Sequence, residues 1–177
     1  MSRRAALADE VAAKLRYHAG HSDTLGLFAD AGFLARLGAA LADPFRDARI
    51  STVAGIEARG FVVATTVALE LGAGFVGIRK PGAVLAGEKA EARFERDWRG
   101  RAGVLLLQRH VVAAGDRVLV VDDWAETGAK ALAARELIEA CGGVYAGLSL
   151  LVNQLPADVQ SRLEPVEFVV RAEDVAG

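Results

Sequence analysis

Apolar positions along the chain change their spacing from segment to segment. Over residues 3–16, Leu7, Val11 and Leu15 lie four apart with charged residues between them, the stripe of an amphipathic helix. Residues 17–26 break that pattern. Helical spacing resumes over about 29–41 and stops before Asp43-Pro44, because the residue before proline is pushed out of helical geometry. Short apolar runs at 50–55, 75–78, 104–108, 118–121 and 146–152 predict strands, with a further edge strand at 166–170. Helical segments separate several of them, at 61–71 and from Ala129 onward. In the second, Leu132, Leu137, Ile138 and Cys141 share a stripe that Gly142 and Gly143 can terminate. Strands alternating with helices predict an α/β fold, a single-domain doubly wound parallel sheet.

One stretch does not fit the alternation. Residues 81–103 start with Pro-Gly, lack a sustained apolar period and mix acids with bases from Glu88 to Arg101. A connection of this length inside one domain reads as a flexible lid or as a solvated hairpin of mixed charge.

Length and composition narrow the classes. The 177 residues are 53% hydrophobic, enough for one domain (residues 1–177) with a full core. A net charge of −2 gives little electrostatic support for nucleic-acid binding, so small-molecule partners are expected. The single cysteine, Cys141, excludes an internal disulfide. No apolar run is long enough to span a bilayer, and none follows Arg3 and Arg4 as in a secretion signal, so neither a membrane nor secretion is expected. The expected location is cytoplasmic. His18, His21 and His110 have no metal-ligand spacing.

The most informative chemistry follows the run Val118–Val121, whose continuity suits a central strand buried on both faces. Residues 122–128 are expected in the loop beyond it, where open α/β sheets place their ligands. Asp122 and Asp123 side by side repel one another unless a ligand or hydrogen bonds compensate. Thr127 and Gly128 then present backbone N–H groups at a helix start, an anion site. Carboxylates for a sugar followed by amides for its phosphate describe a phosphorylated ribose. The competing description is an Asp-rich turn that caps the helix through Thr127.

This loop resembles the signature for phosphoribosyl pyrophosphate (PRPP) of the type I phosphoribosyltransferases. Two further segments resemble their adenine-specific branch: Gly55-Ile56-Glu57-Ala58-Arg59-Gly60-Phe61, and Ile78-Arg79-Lys80-Pro81-Gly82. The resemblance covers about residues 45–150. It implies the doubly wound fold with a small hood built by residues 1–44, a lid at 81–103, Mg²⁺ bound together with PRPP, and a homodimer. No direct metal ligand is assigned.

Residue by residue, the resemblance gives Asp122 and Asp123 the ribose, and Thr127, Gly128, Ala129 and Lys130 the 5′-phosphate. Arg59 and Lys80 fall to the pyrophosphate, as do the backbone amides of Glu57 and Ala58 through a non-proline cis peptide in the family, and Arg79 is a further candidate from its own charge and its place just beyond a predicted strand. For Arg79 an ordinary surface charge is the competing role. Leu27 and Phe28 match an apolar-aromatic hood over the base, Asn153 a base-facing amide or an ordinary turn residue, and Asp97-Trp98 an acid-aromatic pair on the lid. The turn departs from the adenine pattern of Ala, Thr, Gly, Gly, Thr. Here it reads Glu126, Thr127, Gly128, Ala129, Lys130. Glu126 matches an acid beside N7 of the base in the hypoxanthine-guanine branch, or is a solvated acid favourable to the helix dipole.

Three readings stay open. The first is a purine-salvage enzyme, a pentosyltransferase that transfers the phosphoribosyl group from PRPP to adenine and gives AMP and pyrophosphate. The second keeps the reaction on a 6-oxopurine or modified purine. The third is a non-catalytic sensor of PRPP or nucleotide.

Overall fold

A computed structural model describes residues 3–18, 21–95 and 99–175. Its centre is a five-stranded parallel sheet in the order β4-β3-β7-β8-β9. These strands are β3 (Thr52–Ile56), β4 (Gly74–Ile78), β7 (Arg117–Ala125), β8 (Val144–Asn153) and β9 (Val166–Arg171). β3 and β7 run in register from Thr52↔Val118 to Gly55↔Val121.

The continuous apolar run of β7 has its predicted cause. Leu119 and Val121 face one core, with α1 (Arg3–Lys14), α3 (Ala31–Ala42) and α4 (Arg59–Leu71) supplying Leu7, Phe33, Leu37, Val63 and Val67. Val118 and Val120 face the other, where α5 (Ala129–Ala140) brings Leu137 and Ile138. Burial on both faces removes the alternation that a half-exposed strand would show.

The structure corrects the sequence reading in four places. β7 continues through Ala125 instead of ending at Val121, so Asp122 and Asp123 sit on the strand end and not in the loop. Pairing with β8 sustains it, with Trp124 opposite Val152 and Ala125 opposite Asn153. The strand at 104–108, β6 (Gly103–Gln108), lies outside the parallel sheet and pairs antiparallel with β5 (Lys89–Phe94). Its link to the sheet is the bridge Arg79↔Leu106. Residues 89–94 of the 81–103 segment are therefore one arm of a hairpin with β6. Ala90 and Ala92 of β5 are buried with Leu105 and Leu107, closing the core over α5. The expected lid pair Asp97-Trp98 lies outside the described residues.

Residues 17–28 are not simply irregular. They form a two-strand ribbon, β1 (Tyr17–His18) and β2 (His21–Ser22), followed by the short helix α2 (Thr24–Phe28). α6 (Ala157–Leu163) follows β8 and had no counterpart in the sequence reading. Cys141 caps the end of α5 and is partly buried. No helix among the described residues is long and apolar enough to cross a membrane.

Candidate active site

A cleft of about 1170 Å³ opens at the carboxyl ends of β3, β7 and β8. The turn between β3 and α4 forms one wall. There the sequence needs two glycines. A Cβ on Gly55 would stand 2.7 Å from the Gly60 carbonyl oxygen and 2.8 Å from the Ala64 Cβ, so only glycine lets α4 approach the strand. A Cβ on Gly60 would stand 2.6 Å from Asp122 Oδ1. The peptide between Glu57 and Ala58 is cis. Its neighbour Glu57 is clasped by the next strand end: the Lys80 amide donates to Oε2 at 2.9 Å and Arg79 Nε donates at 3.0 Å. The Lys80 amide, then the Arg79 guanidinium, hold the Glu57 carboxyl below its ordinary range.

The adjoining end of β7 carries the acid pair. Asp123 is 3% exposed. Its Oδ2 accepts from the Thr24 hydroxyl at 2.6 Å and pairs with Arg59 Nε at 3.0 Å. Asp122 borders the cleft, and its Oδ1 accepts from the Asp123 amide at 3.0 Å. Burial, followed by the neighbouring Asp123 charge, pushes the Asp122 carboxyl well above its ordinary value. The repulsion expected from two adjacent acids thus adds to the larger effect of burial, and the Asp123 amide offsets only part of it.

Beyond them the chain turns into α5. Gly128 has φ 71°, and a Cβ there would also meet Val159 Cγ1 at 2.4 Å, so glycine is required by conformation and by α6 packing against the turn. The Thr127 hydroxyl accepts from the Ala129 amide at 3.3 Å, a local turn contact one residue before the N-cap Gly128, which has no side-chain cap. Half-buried Glu126 and Lys130 border the cleft, and the Lys130 ammonium lies 6.0 Å from the Phe94 ring centroid of the hairpin.

The cleft thus gathers Glu57, Ala58, Arg59, Lys80, Asp122, Asp123, Glu126, Thr127, Gly128, Lys130 and Asn153. Four expected residues are not on its lining. Arg79 turns to Glu57 and lies 5.8 Å from the Phe61 ring centroid. Ala129 starts α5 behind the turn. Leu27 and Phe28, 4% and 8% exposed, belong to the core under α3 and do not roof the cleft. Their apolar character comes from packing of α2.

Asn153 borders the cleft, yet its amide serves the turn: Nδ2 donates to Gln160 Oε1 at 3.0 Å and Oδ1 accepts from the Leu155 amide at 2.9 Å. Tyr17 and Trp124 line the cleft instead, packed edge to face at 6.5 Å, with the indole N–H donating to Gln154 Oε1 at 2.9 Å. Sequence reasoning passed over both. An indole directly after two acids on a strand end was a signal for Trp124, whereas Tyr17 carried none.

This arrangement can hold a polyhydroxylated, phosphorylated ligand: carboxylates at the end of β7, a guanidinium at the start of α4 and an ammonium beyond β4, and main-chain amides at a helix start. Among the described residues no group of three or more His, Cys, Asp or Glu side chains gathers to hold a metal ion. An Mg²⁺ ion carried in on the ligand's own phosphate oxygens fits that donor set.

No protein-family profile matches the chain. It is similar to the adenine phosphoribosyltransferase of Streptomyces coelicolor, 39% identical over 145 residues that span 81% of this chain and 77% of that one. The enzyme of the same description from Thermobifida fusca is 44% identical over 116 residues, and the chain spans 63% of its length. Among solved structures, the Saccharomyces cerevisiae adenine phosphoribosyltransferase, complexed with an imino-altritol bisphosphate and adenine, superposes with a TM-score of 0.79 at 30% identity, covering 93% of this chain and 99% of that one. With the central sheet, the cleft at its carboxyl edge and these likenesses in agreement, the chain belongs to the adenine phosphoribosyltransferase family.

Proposed function

We propose that this protein transfers the 5-phosphoribosyl group from PRPP to adenine, giving AMP and pyrophosphate. The carrying observation is the acid pair Asp122-Asp123 and Arg59 meeting in one cleft with the Gly128 turn. The reaction breaks the anomeric C–O bond to pyrophosphate and forms a bond to a ring nitrogen of the base. Positive charge grows on the ribose as the leaving group departs. Asp122 and Asp123 fix the ribose hydroxyls and favour that charge. Arg59 and Lys80, with the amides of the Glu57-Ala58 turn, hold the departing diphosphate.

The amides at Thr127 and Gly128 take the 5′-phosphate, joined by Lys130 from the first turn of α5. Its cation replaces the neutral hydroxyl contact of the usual turn. Glu126, beside the acid pair on the base side, accepts a hydrogen bond from the purine or its departing proton. The PRPP oxygens would hold Mg²⁺, which would supply charge neutralisation at the pyrophosphate. Trp124 and Tyr17 give the base an aromatic wall. A homodimeric state and a cytoplasmic location belong to the same reading and rest on family membership.

The test is steady-state release of pyrophosphate from PRPP with Mg²⁺ and adenine, hypoxanthine, guanine or xanthine. Adenine is expected to give the highest kcat/KM. An equal or higher value for a 6-oxopurine overturns the base assignment. PRPP binding by calorimetry without turnover of any base overturns the reaction in favour of a sensor.

A further inference from the structure

Thr24 opens the five-residue helix α2 and is 0% exposed. A hydroxyl at that depth is costly unless it is hydrogen-bonded. It donates to Asp123 Oδ2 at 2.6 Å and accepts from Arg59 Nη1 at 3.1 Å. Arg59 Nε reaches the same carboxylate oxygen at 3.0 Å, and its Nη1 also donates to the Ser22 carbonyl at 3.3 Å. Hydroxyl, carboxylate and guanidinium therefore form a closed ring. One member sits at the end of β7 on the ribose side of the cleft, and another at the start of α4 on the diphosphate side.

α2 has other anchors. Asp23 caps it by accepting from the Gly26 amide at 2.9 Å, and Leu27 and Phe28 bury in the core. The Thr24 hydroxyl adds little that these contacts lack for holding the helix. What it adds is direction. A carboxylate and a guanidinium linked only to each other keep freedom to slide, whereas a third group bonded to both fixes their relative orientation.

We propose that Thr24 is a positioning residue for PRPP, orienting Asp123 toward the ribose and Arg59 toward the diphosphate from outside the cleft. The inference rests on the function proposed above. It also assigns a task to residues 21–28: this segment sets the geometry of the sugar site.

Threonine-to-valine exchange keeps the shape and deletes both hydrogen bonds, while serine keeps the hydroxyl and loses a methyl. For T24V, kcat/KM for PRPP is expected to fall roughly 10- to 100-fold, the effect of removing a buried hydrogen bond to a charged group. The loss should appear in KM and in the calorimetric Kd for PRPP, with KM for adenine much less affected. T24S should stay close to wild type. T24A, which adds no bulk, carries the same test if T24V does not fold.

PRPP parameters unchanged in T24V or T24A overturn the assignment. So does an equal defect in T24S, which would trace the effect to packing of the methyl group. Wild-type protein that does not bind PRPP overturns the proposed function itself and this assignment with it. A hydroxyl-free variant that binds PRPP as tightly as a binding-competent wild type overturns the Thr24 assignment alone.

Discussion

Replacing Gly60 by alanine isolates the contribution of Asp122 without touching its chemistry. Gly60 is the second residue of α4, its φ is not positive, and alanine suits a helix better by up to about 1 kcal/mol. The added methyl would stand 2.6 Å from Asp122 Oδ1, against the 3.4 Å at which ordinary contact begins, so the carboxylate tip must retreat by about 0.8 Å. That tip is the end of a rotatable side chain bordering a cleft, and its movement costs at most the hydrogen bond from the Asp123 amide, about 1 kcal/mol, which the gain in helix propensity offsets. A displacement near 1 Å in a reacting constellation costs on the order of 100-fold. G60A should therefore retain or slightly raise its melting temperature while kcat/KM for PRPP falls roughly 10- to 100-fold. Gly55 provides the contrast. There a methyl meets the Gly60 backbone and the Ala64 Cβ, neither able to rotate away, and G55A should lose about 1–3 kcal/mol of stability. The assays are steady-state kinetics at varied PRPP and thermal unfolding. Full activity in G60A would refute the ribose role of Asp122, and a large loss of stability would refute the premise that the carboxylate can yield.

Two further predictions concern pH. Because the Asp122 carboxyl is pushed up by burial, the folded state binds its proton more readily than the unfolded chain does. Its contribution to stability is complete below the ordinary aspartate range and is lost as pH rises through the raised value. D122N should thus melt higher than wild type at neutral pH, with the difference vanishing in acid, while turnover is abolished; a lower melting temperature at neutral pH would contradict the cause assigned. Glu57 runs the other way. Its depressed carboxyl stabilises the fold above the ordinary glutamate range, and that contribution disappears as pH falls through the lowered value. E57Q should be less stable by about 1 kcal/mol at neutral pH, discounted for the partial exposure of Glu57 and Arg79, and should converge with wild type in acid. Parallel stability curves from acid to neutral pH would argue against the clasp.

The sheet was legible wherever burial is two-sided, since Val118–Val121 leaves only one way to read four apolar residues in a row. It was illegible where polarity and strand geometry coincide. Asp122 and Asp123 look like loop residues, and only pairing of Trp124 and Ala125 with β8 keeps them extended. β5 was missed for a related reason. Its alternation of charged and apolar residues is real, but the buried members are Ala90 and Ala92, whose small apolar area gives a weak signal.

Of the site, the acids, the glycine turn and the Arg59 segment were legible because each is local. Leu27 and Phe28 match the hood only by family likeness, and in the structure they pack into the core under α3. Thr24 lay in the same stretch and offered no periodicity, and its partner Asp123 is remote in sequence.

That remoteness has a consequence for how the protein folds. Thr24 and Asp123 are separated by 99 residues, so the hydrogen bond between them closes a loop spanning more than half of the chain. Closing so long a loop is entropically unfavourable, and contacts of such high sequence separation slow folding. The pairs β3–β4, β7–β8 and β8–β9 assemble through shorter connections. A refolding chain should accordingly regain its helical and sheet signal before it regains ligand affinity, and the interval between those two recoveries would time the docking of the segment that carries Thr24.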